Sequence, residues 1–151
     1  MNLTIRVRKA GLADMAPILG LVKELAHYER ATDAVTATLQ DYEKNFLEEV
    51  FEAMVAVDEN DQIIGTTIYY LTWSTWKGRM LYLEDFVVHE SSRGQGVGQL
   101  LFDALRQEAI LKDCRILKWQ VLDWNAPAIR IYQKYDAILE KDWWNGELVL
   151  G

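Results

Sequence analysis

"LYLEDFVVHESSRGQGVGQLL", residues 81–101, decides the architecture. An apolar run rich in branched and aromatic residues ends at Val88. Glycines then alternate with other residues at 94, 96 and 98, and leucines follow at helical spacing. A strand, a Gly-rich turn and a helix N-terminus in that order make an anion site. The N–H groups of the first helical turn have no partner inside the helix, and the helix dipole adds positive partial charge there. Glycines let the backbone approach anionic oxygens with no Cβ in the way, and Arg93, immediately before them, can add a charge-assisted contact.

Upstream of this stretch, "LTIRVRKA" (Leu3 to Ala10) alternates apolar and polar residues and predicts a half-buried strand. From Ala13 to Tyr28 the spacing turns helical, with Met15, Ile18, Leu21, Val22 and Leu25 on one stripe and Pro17 tolerated in the first turn. Thr38 and Asp41 form a capping-box pattern that opens a shorter helix through Leu47. "FEAMVAVD", "QIIGTTIYYLTW" and "RMLYLEDFVV" are three strand-like runs. Their short links, Glu59-Asn60-Asp61 and "STWKG", make an antiparallel meander the natural topology.

Downstream, a helix is predicted from Gly96 to Lys112, then a strand, "RILKWQVL". Asn125 as N-cap with Pro127 close behind opens a helix that ends near Tyr135. Short strands at Ile138 to Trp143 and Glu147 to Leu150 complete the expected order, an α/β mixed sheet in a single domain, residues 1–151.

With 151 residues, half of them hydrophobic, the chain is long enough for a sizeable core. Its formal net charge of −7 argues against nucleic acid or an anionic membrane surface as partner. It fits a cationic substrate better. Cys114 is the only cysteine, so no intrachain disulfide is expected. No run approaches a transmembrane helix in length, and the first residues alternate as a strand does rather than as a leader. A cytoplasmic protein is the default reading. His27 and His89 have no metal-ligand companions in the sequence, and no metal site is expected.

Three phosphate-binding loops compete for "RGQGVG". The P-loop fails because no Gly-Lys-Ser/Thr follows. The dinucleotide fingerprint fails on spacing and on its place in the chain. The third is the R/Q-x-x-G-x-G/A loop of the GNAT acetyltransferases, and Arg93-Gly94-Gln95-Gly96-Val97-Gly98 resembles it, in the same place after the fourth strand. The resemblance extends from Leu3 to Leu150 through "KELAHYE", "LYLEDFVV", "RGQGVGQLL" and "LDWNAPAIRIYQKYDA". It is closest to the diamine (spermidine/spermine) and thialysine N-acetyltransferase branch. It implies the GNAT fold, a mixed and mostly antiparallel central sheet flanked by helices, acetyl-CoA as co-substrate, and a homodimer.

The residue roles follow from the same resemblance. Arg93, Gly94, Gln95, Gly96, Val97, Gly98 and Gln99 would hold the pyrophosphate. Phe86, Val87 and Val88 would offer backbone groups to the pantetheine, as an added strand does, and one N–H there would polarise the acetyl carbonyl. Asn125 and Ala128 complete the cofactor set. Glu84 and Asp85, adjacent carboxylates in an apolar strand, are the oddest local feature of the chain. Strand alternation would send them to opposite faces. The resemblance puts Glu84 at the acceptor amine as its proton relay, with Asp85 as a secondary contact. Tyr132 reads by periodicity as a core ring; the N-x-P-x-x-x-x-Y spacing from Asn125 resembles that of the family's acid, which protonates the leaving thiolate. Tyr28 and Glu29 read as a solvated helix end, and the resemblance moves them to the substrate mouth. Trp119 or Trp124 would wall the acceptor site; the other tryptophans read as packing or dimer surface.

Two departures stand out. Asp136 occupies the position where the family usually has glycine, and Asp tolerates a left-handed turn better than most residues. None of Glu140, Asp142 or Glu147 aligns with the carboxylate that the diamine enzymes bring from beyond this helix. The expected reaction is direct acetyl transfer to a primary amine of a small cationic acceptor: a diamine, a polyamine or a lysine-like amino acid. Acetylation of a protein N-terminus or lysine, and a non-catalytic acyl-CoA-binding module, are the rival readings.

Overall fold

The computed structural model describes residues 4–151. Leu3, where the first strand was expected to begin, lies outside them. The sheet has five strands in sequence order: β1 (Arg6–Lys9), β2 (Glu52–Val57), β3 (Ile63–Ser74), β4 (Gly78–Val88) and β5 (Ile116–Trp119). The first three pairings are antiparallel, which is the expected meander, and β4 pairs with β5 in parallel. Four α-helices connect or flank the strands: α1 (Met15–Tyr28), α2 (Leu39–Leu47), α3 (Val97–Leu111) and α4 (Ala126–Gln133).

Strand β2 shows how the layers form. Its residues 53–57 are all buried because both faces of the sheet are covered. Ala53, Val55 and Val57 meet Met15, Ile18 and Val22 of α1 on one face. Met54 and Ala56 share the other core with Leu81 and Leu83 of β4 and Val97, Leu101, Phe102 and Leu105 of α3. Gly65 permits the close approach of α3: a Cβ there would lie 2.9 Å from Leu101 Cδ1 and 3.2 Å from the Val87 carbonyl.

The local signals hold where they are self-contained. Thr38 Oγ1 accepts from the Asp41 N–H at 3.1 Å, and Asp41 Oδ2 accepts from the Thr38 N–H at 2.8 Å, closing the capping box of α2. Asn125 Oδ1 accepts from the Ala128 N–H at 3.4 Å. Asp136 adopts φ 56, so the left-handed turn survives without glycine.

The last two expected strands do not form. Among the described residues, none after Tyr135 belongs to a helix or strand. Ile138, Trp144 and Leu150 are 86, 97 and 92 % exposed. Alternation makes a strand only where a partner backbone is present to pair with, and among the described residues this segment has no partner strand.

One polar network crosses the α3 core. The Tyr69 hydroxyl, on a fully buried ring, donates to Glu108 Oε2 at 3.0 Å, and Lys9 Nζ reaches the same oxygen at 2.8 Å. Tyr69→Phe leaves the buried carboxylate short of one donor. It is expected to cost about 1–2 kcal/mol in urea unfolding; an unchanged midpoint would show that the hydroxyl contributes nothing.

Candidate active site

The site begins with a slip in register. Ile68 opposes Asp85, but Tyr69 opposes Leu83, so Glu84 has no partner across β3. One extra residue in β4 is a β-bulge, and it reverses the alternation beyond it. Leu81 and Leu83 face the α3 core before the bulge, and Phe86 and Val88 pack against the same core after it. Glu84 and Asp85 are thereby turned to the same side, toward α1 and α2. The expectation that alternation sends them to opposite faces is overturned, because it assumed an unbroken ladder.

The pairing of β4 with β5 stops at the same point, with Leu83 opposite Trp119. Residues 120–122, expected to continue the strand, diverge from β4. The opening is a cleft of about 280 Å³. One wall is Leu83, Glu84, Asp85 and Phe86; the other is Trp119, Gln120, Val121 and Leu122. Asn125, Ala128 and Tyr132 of the α4 segment close it on one side, and Leu25 and Glu29 from the end of α1 on the other. The tail contributes Asn145, whose Oδ1 accepts from Gln120 Nε2 at 2.6 Å, rather than a carboxylate.

Three carboxyl groups therefore share the cleft. Burial, then the negative charges of Glu84 and Glu29, push Asp85 up to about 6. Burial also raises Glu29. Glu84 is exposed, and its Oε1 accepts a 2.8 Å hydrogen bond from the Tyr70 hydroxyl, which orients it. Tyr132 is 4 % exposed, its ring 4.6 Å from that of Trp119 and 5.7 Å from that of Phe102. Burial, with the Glu29 charge added, holds its hydroxyl well above the ordinary phenol range, so it keeps its proton at neutral pH.

The glycine loop lies apart from this cleft. Gly94 and Gly96 have φ of 78 and 81, and no atom lies within 4 Å of where a Cβ would be at either position. No side chain caps the N-terminus of α3, and no acidic residue lies in its first turn. Open space, free N–H groups and absent negative charge fit a pyrophosphate. Gln95 and Gln99 are exposed beside it. Arg93 does not point freely into that space: its Nε donates to the Val88 carbonyl at 3.3 Å, and its guanidinium lies 5.2 Å over the Tyr28 ring. Tyr28 in turn packs on Trp124 at 5.6 Å, and the Arg30 guanidinium covers Trp124 at 4.5 Å.

Of the residues singled out in the sequence, the structure brings Glu29, Glu84, Asp85, Phe86, Trp119, Asn125, Ala128 and Tyr132 to one cleft. Tyr28 and Trp124 do not line it; they join α1 to the glycine loop in a stack of two rings with a guanidinium at each end. Val87 is buried, and Val88 spends its carbonyl on Arg93. Sequence reasoning missed Leu25, Tyr70 and Asn145. Tyr70 carries only the ordinary aromatic signature of a strand, and Asn145 sits in the short link between the two strands expected at the end of the chain. Among the described residues, no cluster of three or more His, Cys, Asp or Glu could hold a metal ion, and no helix is long and apolar enough to cross a membrane.

The sheet thus splits partway along its fourth strand, after Leu83, and the strand runs on to a glycine loop and a free helix N-terminus. Residues 21–136 match the acetyltransferase (GNAT) family, and the chain belongs to it. It is an acetyltransferase of a family that uses acetyl-CoA as co-substrate. It is 34 % identical to the thialysine N-epsilon-acetyltransferase of Bos taurus over 93 % of this chain and 89 % of that one. It is 33 % identical to a Homo sapiens spermidine/spermine N(1)-acetyltransferase-like protein over 88 % of this chain, spanning 20 % of that relative. An aminoglycoside acetyltransferase from an uncultured soil metagenomic sample shares the fold, with a TM-score of 0.80 at 17 % identity and coverage of 98 and 97 % of the two chains.

Asp85 carries a testable cost. Its folded pKa lies above the ordinary 3.8, so folding favours the protonated form. The stability it contributes is full below about pH 4 and is lost as pH rises through 6. Asp85→Asn is expected to raise stability at pH 7.5 by about 2–3 kcal/mol, with no gain at pH 4. Denaturation midpoints at the two pH values check this, and equal gains at both would refute it.

Proposed function

We propose that the chain moves the acetyl group of acetyl-CoA directly to a primary amine of a small cationic acceptor, with diamines, polyamines and lysine-like amino acids as the candidate class. The observation that carries this reading is the gathering of Glu29, Glu84 and Asp85 in one cleft with the protonated Tyr132. The Bos taurus relative acts, by its name, on the epsilon-amine of thialysine, and the Homo sapiens one is named for its likeness to a spermidine/spermine acetyltransferase. A cleft lined by three carboxyl groups favours a small ammonium ion over a protein segment, and an acid beside a base is more than a binding module requires.

In this reading the pyrophosphate lies on the N–H groups at Gly94 to Gly98, and the pantetheine runs along the β4 edge that β5 abandons, from Phe86 to Val88, near Asn125 and Ala128. An alkylamine with a pKa of ~10.4 is free base in roughly one molecule in a few thousand at pH 7. The carboxylates draw in the ammonium, and its proton passes to Glu84 directly or through water, with Asp85 beside it. The freed nitrogen attacks the thioester carbon, and a backbone N–H of the Phe86–Val88 stretch bonds the developing oxyanion. As the C–S bond breaks, the Tyr132 hydroxyl gives its proton to the thiolate, and the second proton that the nitrogen sheds in becoming an amide returns through water to the phenolate.

Residues 1–151 act as one catalytic domain in this reading, and a reducing, cytoplasmic setting suits its single free cysteine. A homodimer is part of the same proposal: Trp143, Trp144 and Leu148 are 73, 97 and 83 % exposed, an apolar surface that a second copy would cover.

CoA release on a panel of primary amines tests the reaction. Tyr132→Phe is expected to lower kcat roughly 10²-fold or more while acetyl-CoA binding changes little. Undiminished turnover would remove Tyr132 as the acid. Sedimentation of the full chain tests the assembly: a dimer is expected, shifted toward monomer by Trp144→Asp.

A further inference from the structure

A second cavity, of about 200 Å³, lies on the other side of the acid pair. Tyr42 of α2, Val50 and Phe51 from the link into β2, and Ile68 and Tyr70 of β3 form its wall. Glu84 and Asp85 line both cavities, so the two meet at the bulge. Apart from that pair the lining holds no basic and no further acidic side chain. It is hydrocarbon and tyrosine ring, negative at its inner end only.

The wall is well supported. Tyr42 meets Phe51 edge-on at 5.9 Å, Phe46 backs Phe51 at 6.0 Å, and Ile68 is 5 % exposed. Tyr70 donates its hydroxyl to Glu84, so the hydroxyl points to the acid end and the ring presents its body to the cavity. Burial and then the charges of Asp85 and Glu84 push the Tyr42 hydroxyl up to about 12, consistent with its facing the same pair. The rim lies at Val50, which is 57 % exposed.

We propose that this cavity is the subsite for the acceptor's tail: it takes the unbranched hydrocarbon chain of a primary alkylamine whose nitrogen lies at Glu84 and Asp85, and it selects acceptors by chain length. The assignment rests on the amine-acetylating reading above and sharpens it. The charge pattern carries it. An ammonium belongs at the inner end, where two carboxylates are shared with the cleft that holds Tyr132. Beyond it nothing can pair with a charge until the rim, so methylenes fit and an ionic group must wait for solvent at Val50. The volume, roughly that of six water molecules in the liquid, admits a chain of a few carbons.

The test uses the full chain, acetyl-CoA and unbranched primary amines from ethylamine to octylamine, with kcat/KM read against carbon number. Burying each methylene is expected to raise kcat/KM about fourfold until the cavity is full, after which the profile levels. Val50→Trp, at an exposed rim position, is expected to plug the mouth and flatten the rise. Phe51→Ala is expected to move the plateau to longer chains. A flat profile in the unmodified protein, or a rise that both substitutions leave unaltered, overturns the subsite and leaves the cavity to an apolar side chain of a second copy. No turnover with these alkylamines while a diamine is acetylated overturns the subsite alone; no turnover with either, while acetyl-CoA still binds, overturns the underlying reading and the subsite with it.

Discussion

Everything at the candidate site depends on one slip of the β4 ladder at Glu84. Up to Leu83 the strand pairs on both sides, with β3 and with β5. At the next residue it gains an unpaired position against β3 and loses β5 altogether. The first change turns two consecutive carboxylates to one face. The second frees a backbone edge and opens the cleft. A bulge weakens the ladder locally, and the fold braces it from the opposite face. Tyr69, the β3 residue that opposes Leu83, is tied through its hydroxyl to Glu108 of α3, and Glu108 is tied to Lys9 of β1. The register cannot drift without breaking that chain.

The same site shows stability yielding to chemistry. Three carboxyl groups that repel one another are held together, one of them largely buried, where an apolar or amide side chain would fold more comfortably. A cation entering the cleft relieves that repulsion, so the mutual repulsion of the carboxyl groups becomes affinity for an ammonium. Tyr132 is tuned the opposite way. The environment that penalises its phenolate keeps the hydroxyl protonated at neutral pH, so a proton donor is already in place when a thiolate departs beside it.

Local chemistry was legible in the sequence and tertiary geometry was not. Glycines 94 and 96, the Thr38–Asp41 box and the Asn125–Pro127 cap act within a few residues, so their spacing predicts them. The meander follows from its two short links. The only mark of the bulge in "LYLEDFVV" is the adjacent pair Glu84 and Asp85, which reads as an oddity of charge rather than as a slip of register. The second cavity arises only where Tyr42 and Phe51 come against Tyr70, residues that are far apart in the chain. The terminal segment misled in the other direction. Its residues alternate well enough for strands, but pairing is a property of two segments, and among the described residues no second one lies beside it.

Among the described residues, five that are not glycine adopt left-handed backbone: Arg30, Glu49, Asp61, Asp113 and Asp136. Four of them follow the four α-helices within three residues, at the turn where glycine is commonest. Left-handed geometry costs a residue with a Cβ roughly 1 kcal/mol. Arg30 has its stack on Trp124 to set against that. Glu49, Asp113 and Asp136 lie outside the cleft lining and carry the strain without such a contact in view. The molecule therefore holds room for improvement at its helix ends: a sturdier variant could be built there while every side chain lining the cleft stays as it is.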